Sequence, residues 1–319
     1  MKAIRIHEDG GPEVLRYEDA PEPEPGPGEV LIQLRAASLN RLDLWVRAGL
    51  PSVPKPRILG ADGAGLDPEG RRVVINPGIE HGDRISVVGE HMDGTHAELV
   101  AVPESNVYPI PDELSFEEAA AFPLVFETAY RMLVTRAGLR EGEWVLVWGA
   151  GSGIGTAAIV LARALGARVV AASSSDAKLE LARGLGAEAL VNHRTGDVLA
   201  AVNEATGGAG ADVVIEHVGE ATWQTSLQAV RPHGRIAVCG ATSGPNPKAA
   251  LHRVWWKQLT ILGSTMGTKA DFEGAFELVK SGKAKPVVDS VLPLAEARAA
   301  HERMESGEHF GKIVLSIPH

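Results

Sequence analysis

The stretch WGAGSGIGTAA, residues 148–158, holds four glycines within seven positions, between an apolar run and a helical pattern. Glycines at a strand-to-helix turn allow the backbone N–H groups of a helix N-terminus to approach a pyrophosphate. The G-x-G-x-x-G spacing is incomplete, because Ala150 and Ser152 take the first two places and only Gly155 keeps the third. The loop alone therefore fits two structures, a phosphate cradle or a tight turn that packs closely.

Short apolar segments alternate with helical segments around this loop. A strand pattern at 144–149 precedes it, a helical pattern at 153–166 follows, and the alternation continues to a strand pattern at 234–240. This alternation predicts a parallel, doubly wound sheet, so the fold class is α/β. In that setting the loop is expected to bind a dinucleotide, and its binding residues are Gly151, Ser152, Gly153, Ile154 and Gly155.

The composition is that of a globular protein and limits the partners. Lysine and arginine number 31 against 41 aspartates and glutamates, and the net charge of -10 makes nucleic acid an unfavourable partner. The single cysteine, Cys239, forms no disulfide within the chain and is expected to be a small core residue. No apolar segment has the length of a signal peptide core or a membrane span, so we expect a cytoplasmic protein without a membrane partner.

The rest of the chain has a different pattern of apolar and polar residues from this alternating region. The first hundred or so residues read as short β-prone runs separated by Gly, Pro and Asp, and a helical region, predicted to begin at the cap residue Ser115, is interrupted at Pro123. The last fifty residues lack the regular alternation. With 319 residues, two domains are expected, one at 1–118 and 269–319 and the other at 119–268.

The segment AASSSDAKLE, residues 171–180, lies where an acid binds the ribose of NAD in such folds. Ser173, Ser174 and Ser175 come first, Asp176 is placed to cap the next helix, and Lys178 adds a positive charge. Hydroxyls and an ammonium favour NADP(H). The alternative is that the serines only cap the helix and that Lys178 is a solvated residue.

Seven segments in order resemble the medium-chain dehydrogenase/reductase superfamily, and within it the zinc-less quinone oxidoreductase and alcohol dehydrogenase-like branch. They are PGPGEVLIQLRAASLNRLDLWVRAG, ILGADGAG, DGTHAELVAVP, AAAFPLVFETAYRML, GAGSGIGTAAIVLA, GRIAVCGATSG and ILGSTMG. The resemblance implies a β-rich, GroES-like catalytic domain interrupted by a Rossmann domain, with the active site in the cleft between them. It also implies a homodimer formed through the edge strand in LTILGSTM.

Members of the family with catalytic zinc carry three ligands whose positions here hold Asn40, Ala61 and a residue near Leu124. Asparagine is a poor zinc ligand, and alanine and leucine are none. The cysteines of the family's structural zinc lobe are also missing from the segment after residue 78. We therefore expect no metal.

The resemblance also implies the positions of the site residues. Asn40, Asp43 and Trp45 are expected in the substrate pocket, with Asn40 as a donor to a carbonyl oxygen; the alternative is that Asn40 forms a turn, Asp43 caps a helix that begins at Leu44, and Trp45 fills the core. The remaining cofactor residues are expected to be Thr128, His193, Val218, Gly240, Ala241 and Thr242.

Without zinc, alcohol oxidation loses its main source of catalysis, whereas reduction of an electron-poor acceptor needs less. The expected activity is NADPH-dependent hydride transfer to quinones or α,β-unsaturated carbonyls, so the expected partner is a small carbonyl or quinone substrate. Two alternatives remain open. They are an alcohol dehydrogenase-like enzyme for an unknown alcohol or aldehyde, and a non-catalytic NADPH-binding protein.

Overall fold

The chain folds into two units, each built around its own sheet. A computed structural model describes residues 1–82 and 84–318. The first unit comprises Met1–Val125, Thr268–Phe276 and Lys285–His319, and the second comprises Phe126–Gly267 and Glu277–Ala284. The domain limits of 1–118, 119–268 and 269–319 stay a prediction.

The strands are distributed over both units. In chain order they are β1 Lys2–Ile6, β2 Arg16–Asp19, β3 Glu29–Ser38, β4 Arg57–Ile58, β5 Asp62–Leu66, β6 Arg72–Ile75, β7 Gly78–His81, β8 Arg84–Val87, β9 Leu99–Pro103, β10 Val107–Pro109, β11 Trp144–Val147, β12 Arg168–Ser173, β13 Ala189–Asn192, β14 Ala211–Glu216, β15 Val230–Val238, β16 Thr260–Gly263, β17 Val288–Pro293 and β18 Lys312–Ser316.

The helices lie mainly in the second half of the chain. They are α1 Arg41–Arg47, α2 Phe116–Ala120, α3 Pro123–Tyr130, α4 Gly153–Ala164, α5 Asp176–Gly184, α6 Val198–Thr206, α7 Trp223–Ala229, α8 Leu251–Trp256, α9 Lys269–Lys280 and α10 Ala297–Ser306. A π-helical segment, Arg131–Arg136, continues α3. Among the described residues we find no helix with the length and apolar character needed to cross a bilayer.

The second unit contains the predicted parallel sheet. Its strands run in the order β13-β12-β11-β14-β15-β16, and every neighbouring pair is parallel. All four residues of β11 are buried because helices cover both faces of a parallel sheet, which explains why its sequence is apolar without alternation. The predicted α/β class is confirmed.

The first unit is β-rich, and the end of the chain completes its main sheet. The strand order is β10-β6-β5-β3-β18-β17, with β9 also paired to β3. Strand β18 lies antiparallel to β3 and parallel to β17, so it joins the last segment of the chain to the first. Its apolar residues contribute to one core cluster with Ile32, Leu34 and Leu39.

Two predicted helix starts have different outcomes. Ser115 caps α2, as expected, since its side chain accepts a hydrogen bond from the backbone N–H of Glu118. The alternative considered for Asp43, a cap of a helix that begins at Leu44, is wrong: α1 begins at Arg41 with Asn40 as its N-cap, and Asp43 is its third residue. The Asp43 carboxylate accepts the backbone N–H of Asn40 at 2.7 Å, which is one half of a capping box and favours the earlier start.

Candidate active site

The glycine loop joins β11 to α4 in a conformation that side chains would obstruct. A Cβ on Gly155 would lie 2.2 Å from the carbonyl oxygen of Gly149, so helix and loop approach as closely as the backbone allows. Gly149 has φ of +57°, and a Cβ there would meet the His217 ring at 2.9 Å. Ser152 caps α4 by accepting the N–H of Gly155 at 3.0 Å. The close packing of the glycines and the N-terminus of α4 therefore occur at the same place.

The carboxyl ends of the parallel strands bring the other cofactor candidates to one edge of this sheet. His193 N donates to the carbonyl of Ser173 at 3.0 Å, which joins the ends of β13 and β12. Ser243 N donates to the carbonyl of Val218 at 2.7 Å, which joins the loops after β15 and β14. Gly240, Ala241 and Thr242 belong to the same loop after β15. This edge, with a helix N-terminus beside it, suits a dinucleotide.

Thr128 differs from the other candidates in its setting. It lies on α3 with only 7% of its surface exposed, and its side chain makes no hydrogen bond to the strand-end loops among the described residues. Its role at the nicotinamide end stays a prediction.

A buried carboxylate that the sequence reasoning missed fixes the loop after β14. Glu216 is fully buried, and its Oε1 accepts the backbone N–H groups of Val218 at 2.8 Å and Gly219 at 3.1 Å. Thr222 Oγ1 and Ser226 Oγ also donate to it. An acidic residue at the end of an apolar strand is the signal that identifies such an anchor in a sequence. Glu216 therefore holds Val218 in place.

At the end of β12, the structure shows which residue of the segment 171–180 caps the next helix. Ser175 caps α5, and the cap is not Asp176, which is the first helical residue. The Asp176 carboxylate accepts a hydrogen bond from Asn192 Nδ2 at 2.7 Å, so it already has a partner. Ser173 is buried and Ser174 is half-buried. Capping by Ser175 leaves the binding role of these serines open.

In the first unit, a polar cluster is buried around Asn40, Asp62 and Lys312. Asn40 Nδ2 donates to Asp62 Oδ2 at 2.8 Å. Lys312 Nζ donates to Asp62 Oδ2 at 2.9 Å and to Asn40 Oδ1 at 2.5 Å. The exposed fractions of these residues are 4%, 0% and 2%, so the ion pair is excluded from water. The backbone N–H of Leu124 donates to the second Asp62 oxygen, Oδ1, at 2.9 Å.

The cluster occupies the positions at which the family's zinc ligands are expected. It contains Asn40 itself, the residue next to Ala61, and the backbone of Leu124. No group of three or more His, Cys, Asp or Glu side chains arranged to hold a metal occurs in the described part of the chain. The donor set of this place therefore does not suit zinc.

Asp43 and Trp45 lie on the helix that starts beside this cluster. Burial raises the pKa of the Asp43 carboxyl to about 7, against the opposing effect of two backbone N–H donors, those of Asn40 and Gly60. Trp45 is 39% exposed, so it does not fill the core. Asp43 therefore fixes the turn that presents Asn40. Part of the Trp45 side chain is exposed to solvent.

The sequence alone does not identify Lys312 as a site residue, because 250 residues separate it from Asp62. The available signal was a lysine inside the apolar run GKIVLSI, residues 311–317. A lysine in a buried strand requires a partner, and the nearest acids in the sequence, Glu305 and Glu308, lie outside the strand. Only the pairing of β18 with β3 brings the two charges together.

Two buried histidines lie close to the cluster. His96 and His301 are both fully buried, and their rings meet edge to face with centroids 6.2 Å apart. Burial lowers the pKa of His96 to about 4 and that of His301 well below its ordinary value. Arg47 Nη1 contacts His301 Nδ1 at 3.0 Å; since a guanidinium only donates, this nitrogen accepts and the proton resides on Nε2. Both rings are therefore neutral near pH 7.

Two family models match the chain. Residues 26–112 match the alcohol dehydrogenase GroES-like domain, and residues 153–281 match the zinc-binding dehydrogenase family. The quinone oxidoreductase of Pseudomonas aeruginosa is 34% identical over 325 residues, which cover 98% of this chain and 99% of that protein. The chain belongs to the medium-chain dehydrogenase/reductase superfamily.

Solved structures of this superfamily cover the same length. A protein described as an NAD-dependent alcohol dehydrogenase is 44% identical, with a TM-score of 0.96 and full coverage of both chains. A mycobacterial protein solved in complex with NADPH is 28% identical, with a TM-score of 0.85, and covers 99% of this chain and 100% of its own. The curated relative is thus described as a quinone oxidoreductase and one solved structure as an alcohol dehydrogenase, and the two solved structures differ in the dinucleotide that their descriptions name.

The first prediction concerns the close packing at Gly155. Gly155→Ala places a Cβ against the Gly149 carbonyl and displaces the loop, so the variant loses about 1–3 kcal/mol of unfolding free energy together with dinucleotide binding. Gly184→Ala is the matched control, because that helical glycine has no atom within 4 Å of its Cβ position. The control should be neutral or slightly stabilised. Urea unfolding and fluorescence titration with NADPH measure both effects; equal behaviour of the two variants contradicts the account.

The second prediction concerns the neutral His96 in acid. Its pKa falls from 6.5 to about 4 on folding, so between these pH values the unfolded chain binds a proton that the folded chain does not. The unfolding free energy therefore decreases as pH falls through this range, by about 3 kcal/mol for His96 alone. Asp43 acts in the opposite sense, since the contribution of its raised pKa is lost as pH rises through about 7.

The comparison of His96→Gln with the unsubstituted protein isolates the histidine. The variant keeps Asp43 but lacks the His96 titration, so the difference in unfolding free energy between the two proteins shrinks as pH falls from 6.5 to about 4. Urea unfolding at several pH values measures it. Parallel pH curves for the two proteins would show that His96 is not buried in its neutral form.

Proposed function

We propose that this medium-chain dehydrogenase/reductase is an NADPH-dependent oxidoreductase that reduces quinones or α,β-unsaturated carbonyls without zinc. The single observation that carries the proposal is the chemistry of the buried cluster. Where the family's zinc ligands are expected, the chain has Asn40, Ala61 and Leu124, and the positive charge there belongs to Lys312. The similarity to the quinone oxidoreductase of Pseudomonas aeruginosa supports the substrate class.

The absence of zinc ligands limits the chemistry that this site performs well. Oxidation of an alcohol requires removal of its hydroxyl proton, which a Lewis acid makes easier. An acceptor with a conjugated carbonyl needs instead a hydrogen-bond donor for the oxygen on which negative charge develops. Asn40, held at the start of α1, provides an amide N–H of this kind.

The cofactor residues fit a dinucleotide, which supplies a hydride to the acceptor when it is bound. The N-terminus of α4 and the packed glycines receive the pyrophosphate, and the loop anchored by Glu216 lines the nicotinamide end. Asn40 orients the acceptor oxygen. Water or a side chain then supplies the proton to the reduced product.

The preference for NADPH is part of the proposal and rests on the end of β12. Ser173, Ser174 and Ser175 offer hydroxyls, and Lys178 and His193 add a donor or a charge near a 2'-phosphate. The acid nearest to the serines, Asp176, already accepts a hydrogen bond from Asn192. The mycobacterial relative solved with NADPH supports this preference.

A second candidate is an NAD-dependent alcohol dehydrogenase activity. The observation in its favour is the 44% identity to the solved protein described in those words. In that case another group would have to accept the hydroxyl proton. The neutral His96 and His301 are too enclosed for direct contact with a substrate, because both are fully buried.

Initial-rate assays with NADPH and NADH against quinones, enals, enones, aldehydes and alcohols test the function. We expect turnover of quinones or enones with NADPH and a lower kcat/KM with NADH, since the serine segment accommodates the 2'-phosphate. Alcohol oxidation with NAD in the absence of quinone and enone reduction would establish the second candidate. Tight NADPH binding without turnover of any acceptor would indicate a binding protein.

We also propose a cytoplasmic homodimer formed through β16. This strand pairs with β15, and among the described strands it has no neighbour on its other side. Ile261 on this edge and Trp255 and Trp256 on α8 are exposed. An unpaired edge with apolar side chains favours association. Sedimentation at micromolar concentration should give twice the chain mass; a single species of 33.6 kDa would contradict the dimer.

A further inference from the structure

We propose that Lys312 is a positioning residue for the reduction. Its ammonium fixes the side-chain amide of Asn40 in one orientation and thereby presents one Nδ2–H bond to the acceptor oxygen. This role of Lys312 rests on the proposed function. Lys312 lies outside the sequence segments that resemble the family, and it acts as one unit with Asn40 and Asp62.

The two neighbours of Asn40 determine which end of its amide faces each of them. An ammonium only donates, so the group 2.5 Å from Lys312 Nζ has to be the amide oxygen. An ionised carboxylate only accepts, so the group 2.8 Å from Asp62 Oδ2 has to be the amide nitrogen. Turning the amide over would place N–H against ammonium and C=O against carboxylate. Both contacts would then become repulsive, and burial prevents water from relieving them.

One hydrogen of Asn40 Nδ2 is left for a ligand. The amide carries two, and the bond to Asp62 uses one. Among the described residues no second acceptor lies within hydrogen-bond distance of Nδ2. Asp62 has no capacity to spare, because it already has four donors. Its Oδ2 also receives Lys312 Nζ and Ser38 Oγ, and its Oδ1 receives the N–H of Leu124. The free N–H bond therefore has a fixed direction.

Lys312 does more than fill space beside the amide. The positive charge at the amide oxygen and the carboxylate at the amide nitrogen each form a charge-assisted hydrogen bond, so both ends of the amide are held. Asp62 balances the charge, so the site holds no net charge that would need a metal or counter-ion. Arginine at this position would keep both the charge and the donors, whereas methionine would keep only the volume.

Steady-state kinetics of a small set of variants tests this role. Lys312→Met alone leaves the Asp62 charge uncompensated and risks unfolding, so Lys312→Met with Asp62→Asn removes both charges together. This double variant should lose about 10- to 100-fold in kcat, because the donor is no longer oriented, while the Kd for NADPH stays unchanged. Lys312→Arg should retain kcat within about threefold.

Combination with Asn40→Ala decides whether Lys312 acts through Asn40. Asn40→Ala alone should cost about as much in kcat as the double variant. Adding Asn40→Ala to the double variant should cause no further loss, because the group being positioned is already gone. Losses that multiply, or a double variant with the kcat of the unsubstituted protein, would overturn the proposal.

A control separates positioning from loss of stability. Lys257 lies in the second unit and its Nζ donates to the carbonyls of Leu227, Gln228 and Val230 at 3.2, 2.7 and 2.7 Å. Lys257→Met therefore lowers stability without touching Asn40, and its kcat should be unchanged. A decrease in kcat as large as that of the double variant would attribute both effects to stability and would overturn the proposal.

Nuclear magnetic resonance provides a readout that does not depend on activity. The Asn40 Nδ2 signal is identified by its loss in Asn40→Ala. Its order parameter should be near 0.85, as for a rigid group, in the unsubstituted protein and should fall below about 0.6 in the double variant. A mobile Asn40 amide in the unsubstituted protein would overturn the positioning role. A rigid amide in a protein that reduces no acceptor would leave the positioning intact and contradict the proposed function.

Discussion

The ion pair between Lys312 and Asp62 is the interaction on which the first unit depends. It joins β18, the last strand of the chain, to β5, and it lies where β3 and α1 meet. Removal of one partner from a buried pair costs about 3–5 kcal/mol, because the other charge stays in an apolar environment. The other hydrogen bonds of this pair go to Asn40, to the hydroxyl of Ser38 and to the backbone N–H of Leu124. The sheet and the candidate site thus share one set of bonds.

The same pair accounts for the chemistry that we assign to the site. A zinc site in this family needs anionic or imidazole ligands, and this chain offers an amide, a methyl group and an isobutyl group at those positions. The ammonium of Lys312 supplies a covalently attached cation, and its Nζ contacts Asp62 and Asn40. On our proposal, such a site favours acceptors that need a hydrogen bond at oxygen over substrates that need a Lewis acid.

The sequence predicts the secondary structure of the second unit better than it predicts the buried contacts of the first, and the reason is physical. The strands and helices of the parallel sheet, the glycine loop and the cap at Ser115 are each specified by a short segment of the sequence, so periodicity and turn chemistry predict them. The contact of Lys312 with Asp62 depends on the register of β18 against β3, which no local pattern specifies. Asn40 was predicted as a site residue, but its role as N-cap and its two charged neighbours became visible only in the structure.

The metal content of the active protein tests the central claim most directly. The protein is produced in zinc-supplemented medium, its zinc is measured by mass spectrometry, and the rate of quinone or enone reduction is followed before and after a chelator. The account predicts far less than one zinc per chain and a rate that the chelator does not change. One zinc per chain, removed by the chelator together with the activity, would contradict it.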